Sequence, residues 1–129
     1  MELQKFKAKI DGGAEFFQTQ AVFDPERLRA FMARAKPFGK PVLAGILLVK
    51  SAKMARYMNE HVWGIHVPDL IIERFERAAD TRAECVAVTV ELIRAVRESA
   101  DGIHLYALGW EELVPQILKE ADVKEKSVH

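Results

Sequence analysis

Two glutamines raise the first chemical question. Gln18 and Gln20 stand two residues apart in an aromatic and β-branched run, residues 14–23, and strand alternation would turn both toward one face. A carboxamide offers a donor and an acceptor side by side, so it can meet a ligand edge with two hydrogen bonds. The plainer alternatives are a strand-end glutamine bonded to loop backbone and, for Gln18, a bridge to buried water.

Other reactive side chains are less suggestive. Met54 and Met58 are four apart on one helical face, a spacing that ordinarily means core packing. Lys9 sits on a helix with Lys5 and Lys7, where a solvated basic face is the default. His61 and His66 are five apart across a helix end, which does not set two imidazoles on one face for zinc. Cys85 lies on an apolar helical stripe with no histidine partner and reads as an inert buried thiol. Glu111-Glu112 and the pair Asp80 and Glu84 read as helix-start charges answering the dipole. No G-x-G-x-x-G or Walker motif is present, and no residue is assigned as catalytic.

The elements that must position these groups alternate between strand and helix. A lysine-bearing helix over 2–10 is stopped by Asp11-Gly12-Gly13, and the strand 14–23 follows. Asp24-Pro25-Glu26 then caps a helix with Leu28, Phe31, Met32 and Ala35 at helical spacing, ending at Phe38-Gly39. The apolar run 41–49 is short and proline-flanked, which favours strand. Ser51 caps a helix to about Glu60, and Pro68-Asp69 opens another with Leu70, Ile71, Phe75 and Ala78 as its apolar stripe. A longer helix over 81–99 buries Cys85, Val88, Leu92, Ile93 and Val96. A strand over 103–108, the turn Gly109-Trp110 and a helix over 111–119 complete the order. Such alternation implies parallel pairing through right-handed crossovers, hence an α/β fold.

Composition narrows the class. The 129 residues fit one domain, and half are hydrophobic. Nineteen basic and 19 acidic side chains leave no net field to gather nucleic acid or an anionic membrane. A single cysteine permits no internal disulfide, and no apolar run is long enough to span a bilayer. A soluble cytoplasmic protein is the expectation.

Three strands that are apolar almost throughout expect cover on both faces, and the helices can supply only part of it. A closed eight-stranded barrel takes about 250 residues. The chain is therefore expected to be part of a (β/α)8 TIM barrel, with one exposed apolar face and two bare edges if taken alone. Residues 1–121 are expected to form that barrel segment, and 122–129 a charged, disordered tail.

One family shares this pattern. Phe6-Lys7-Ala8-Lys9-Ile10-Asp11-Gly12-Gly13-Ala14-Glu15-Phe16-Phe17-Gln18-Thr19-Gln20 resembles the methylenetetrahydrofolate reductase arrangement of lysine-bearing helix, D-x-G-A turn and strand ending in T-Q. Phe23-Asp24, Gly45-Ile46-Leu47 and His104-Leu105-Tyr106-Ala107-Leu108 resemble its F-D, G-I-L and H-F-Y-T-L segments, in order, over residues 3–118. The resemblance implies the sixth, seventh and eighth barrel strands, with Gln20, Leu48 and Leu108 near the rim.

It also implies chemistry. The family passes a hydride from NADH or NADPH to FAD, and from there to the methylene group of methylenetetrahydrofolate. Gln20 matches the folate-contacting glutamine, with Gln18 in support, while Lys9 matches a lysine near the flavin's ribityl or phosphate region. Met54 and Met58 fall where the family packs against the benzoyl part of folate, and Tyr106 keeps its strand tyrosine. The end of that strand departs from the pattern: Leu108-Gly109-Trp110 replaces L-N-R, so no arginine carries over. With the earlier strands missing, the segment is expected to be inactive alone, needing the remainder of the barrel or a second copy. The alternative is a non-catalytic part-barrel that serves as a binding or oligomerisation module.

Overall fold

The computed structural model describes residues 17–62 and 64–122. The helix expected over 2–10, Lys9, the first residues of the 14–23 strand and the tail beyond Asp122 lie outside the described residues.

Strand β1 (Phe17–Ala21) leads through Asp24 into helix α1 (Pro25–Ala35). The Asp24 carboxylate accepts from the Glu26 and Arg27 amides, and Pro25 supplies the fixed φ of a first helical turn. A 3-10 turn (Lys36–Phe38) closes at left-handed Gly39, and β2 (Val42–Leu47) follows. Helices α2 (Ala52–His61), α3 (Asp69–Arg77) and α4 (Thr81–Val96) fill the crossover to β3 (Gly102–Tyr106). The chain then makes a 3-10 turn (Glu111–Leu113) and helix α5 (Val114–Glu120).

The sheet runs β1-β2-β3, parallel throughout. When parallel strands are laid down in sequential order by crossovers of one hand, every helix falls on the same side. That is the winding of an arc of a β/α barrel, and not of an open sheet that reverses direction. The core agrees. Phe17, Val42 and Ala35 pack together under α1, while Ala44 and Ile46 are fully buried in the cluster that includes Val88, Leu92 and Ile93 of α4. Arg74 ties α3 to α4 by bonding Glu84 at 2.9 Å and Glu91 at 2.8 and 2.9 Å. At the other end of the sheet Asp101 accepts from the Val42 amide at 2.7 Å and donates its own N–H to the Val42 carbonyl.

Three expectations need correction. Leu70 is not part of the α3 stripe: it is 74% exposed, and Ile72 and Phe75 are the buried residues. Strand β3 stops at Tyr106, since Leu108 has φ +52° and has left the ladder. The face away from the helices is not simply apolar, because Gln18, His104 and Tyr106 stand half-buried there beside Leu43.

A bulge shapes β1. Gln18 pairs with Leu43 and Ala21 with Gly45, so three steps on β1 match two on β2. Strict alternation therefore does not govern Gln18 and Gln20. Within the bulge the buried Thr19 hydroxyl accepts from the Gly45 amide at 3.0 Å, replacing a ladder partner. Thr19→Val keeps the shape but leaves that N–H unpaired, so it should lower stability by about 1–3 kcal/mol in urea denaturation.

Candidate functional site

The uncovered face is organised around Gly45, in the middle of β2, opposite Ala21 at the end of β1 and His104 of β3. A β-carbon at that position would stand 2.6 Å from the Thr19 carbonyl oxygen and 2.8 Å from Tyr106 Cε2. Only glycine lets the Tyr106 ring lie across the central strand. From there the Tyr106 hydroxyl accepts a long bond, 3.4 Å, from Gln18 Nε2. His104, two residues back on β3, meets the Tyr106 ring edge-on at a centroid distance of 4.7 Å. Gln18 of β1 and Tyr106 and His104 of β3 thus form one polar row that crosses over β2 at Gly45.

Gln20 is exposed at the end of the bulge, and its amide makes no hydrogen bond to a described residue. It lies instead against the Cα of Gly64, which has φ +85° in the loop between α2 and α3. Asn59 clamps that loop: its Nδ2 donates to the Val67 carbonyl at 3.0 Å, and its Oδ1 accepts from the Val67 amide at 2.7 Å. Val67 itself is fully buried. The support beneath the Gln20 amide is thus held from two directions.

The methionines divide. Met58 is buried in the core at 6% exposure, whereas Met54 is half-buried against it, at the residue whose amide bonds the Ser51 cap. Tyr57 is exposed and stacks obliquely on His61. Lys9 falls outside the described residues.

Trp110 has a different setting. Lys50 lies 5.5 Å and Arg82 4.8 Å from its ring, Lys50 bonds the Leu108 carbonyl, and Arg82 pairs with Glu112. That pairing holds the Glu112 carboxyl below its usual range. The cations at this part of the rim are engaged in fixing the β3 turn.

Sequence reasoning missed Thr19, Asn59 and Gly64. A threonine in a strand, an asparagine near a helix end and a loop glycine have ordinary local explanations, and their roles arise only from contacts distant in the chain. Two clefts lie apart from the polar row: one of about 360 Å³ between α2 and α3, and one of about 870 Å³ between α1 and α4 at the opposite end of the sheet. Among the described residues no group of histidine, cysteine and acid side chains could hold a metal, and no helix is long and apolar enough to cross a membrane.

Comparison with known families gives a match to the model described as methylenetetrahydrofolate reductase over residues 1–122.

Cys85 is fully buried, and that burial pushes its thiol up; the Thr89 hydroxyl, 4.0 Å from Sγ, pulls weakly the other way. Near neutral pH iodoacetamide should therefore modify the native thiol roughly a hundredfold more slowly than the unfolded chain, as mass spectrometry would show.

Proposed function

This chain belongs to the methylenetetrahydrofolate reductase family, and from that premise we propose that it forms the folate-facing arc of a barrel reducing 5,10-methylenetetrahydrofolate to 5-methyltetrahydrofolate. The supporting observation is the Gln20 amide, exposed at the end of β1 and without a described hydrogen-bond partner, beside the row Gln18, Tyr106 and His104. A pterin edge alternates donors and acceptors, and a carboxamide answers two of them at once.

On this reading Gln20 binds and orients the pterin. Gln18 and Tyr106 meet through a long hydrogen bond and set the floor beneath it. Met54, half-buried on α2, offers apolar contact to the benzoyl portion, and Met58 backs it from the core. Orientation of this kind matters because hydride transfer needs the reacting atoms held close and aligned.

The family is flavin-dependent, but the turn after β3 offers no free cation to FAD. A flavin's phosphates need free donors or cations, whereas Lys50 and Arg82 are both engaged around Trp110. Lys9 is proposed as a flavin contact from the family pattern alone. We therefore assign the remaining flavin contacts to strands beyond this arc and derive no step through the cofactor. NADH or NADPH would serve as electron donor in the same complete barrel.

Two measurements test the proposal. In the complete barrel Gln20→Ala should weaken folate turnover roughly tenfold, the equivalent of one or two lost hydrogen bonds, and leave flavin reduction by the nicotinamide donor nearly intact. Equal loss of both half-reactions would show that Gln20 is structural. Purified chain that forms a colourless, stable oligomer, with no bound yellow flavin, would favour the binding or oligomerisation module instead.

A further inference from the structure

The amide of Gln20 and the Cα of Gly64 occupy adjoining space. A β-carbon at residue 64 would overlap Gln20 Oε1 and come within 3.0 Å of Cδ and 3.2 Å of Nε2. We propose that Gly64 is a positioning residue: its bare Cα is the seat that holds the Gln20 carboxamide in its ligand-facing orientation. The inference rests on the reading of Gln20 as the folate-facing amide.

Three observations carry it. First, the overlap is with the far end of a flexible side chain and not with backbone, so an added methyl group is relieved most easily by swinging the amide away. Second, the seat is the less mobile partner, because the Asn59 clamp and the buried Val67 fix the loop to α2, and Ile65 N–H bonds the Val62 carbonyl across Gly64 at 3.3 Å. Third, the Gln20 carboxamide makes no hydrogen bond to a described residue, the one bond at Gln20 being from the Thr19 hydroxyl to its backbone carbonyl, so losing the seat leaves the amide to sample rotamers. A substitution at Gly64 therefore acts on the orientation of Gln20 before it acts on the fold.

Gly64 also has φ +85°, and any side chain there strains the backbone. Gly39 separates the two effects. It has φ +69° with nothing within 4 Å of the added carbon, so Gly39→Ala carries the backbone strain without displacing a neighbour.

The experiment compares Gly64→Ala, Gly39→Ala, Gln20→Ala and the Gly64→Ala/Gln20→Ala double variant in the complete enzyme. Its readouts are KM for 5,10-methylenetetrahydrofolate, the rate of flavin reduction, and the side-chain amide NMR signals of Gln20. Gly64→Ala should raise KM roughly three- to tenfold, as expected for one hydrogen bond lost to disorder, and should shift the Gln20 amide signals while flavin reduction holds. Gly39→Ala should do neither, and in the Gln20→Ala background Gly64→Ala should add nothing. The proposal is overturned if Gly64→Ala leaves the Gln20 signals in place, or if its effect on KM persists in full without Gln20. Should Gln20→Ala leave KM unchanged while Gly64→Ala still moves the amide signals, the seat stands and the folate role of Gln20 falls. If Gly64→Ala does not fold, Gly64→Asn takes its place, since asparagine tolerates left-handed backbone yet still carries the β-carbon.

Discussion

Neighbouring strands lie about 4.8 Å apart, and the middle of this sheet is organised around a residue with no side chain. At Gly45 the Thr19 carbonyl and the Tyr106 ring both occupy the volume a β-carbon would need. The Thr19 hydroxyl can then reach the Gly45 amide, the β1 bulge has a fixed partner, and the Tyr106 ring lies flat enough for its hydroxyl to meet Gln18. The geometry of the polar row follows from that one close approach.

The two sides of the sheet do different work. On one, Phe17, Val42, Ala44 and Ile46 disappear beneath α1 and α4, where apolar burial drives the fold. On the other, Gln18, His104 and Tyr106 remain half-buried and keep polar atoms on the uncovered face. Sequential parallel order with crossovers of one hand produces that division, since it leaves one side without helices. In a closed barrel that bare side turns inward, and the strand ends make the mouth.

Rigidity is also distributed unevenly. The loop bearing Gly64 is clamped by Asn59 and anchored by Val67, whereas the Gln20 side chain above it has no polar tie to a described residue. Trp110 is set between Lys50 and Arg82, and Lys50 also bonds the Leu108 carbonyl in the turn after β3. The Gln20 amide is thus placed by packing against fixed backbone and not by a hydrogen bond.

The sequence by itself determined what depends on neighbours in the chain. Asp24 and Ser51 cap helices because an oxygen-bearing side chain reaches amides two or three residues on, and both caps are present; Asp80, read from the sequence only as a helix-start charge, is a third cap. The order of elements and the family pattern were legible for the same reason, as both are written in local spacing. Leu70 was misplaced because periodicity shows that a helix has an apolar side but not which residues border it once α2 and α4 have packed. Only the tertiary structure decided the bulge that separates Gln18 from Gln20, the ring of Tyr106 across Gly45 and the seat at Gly64. Gln20 and Gly64 are 44 residues apart, and their contact exists only after β1 and the loop following α2 have been brought together by burial of the intervening core.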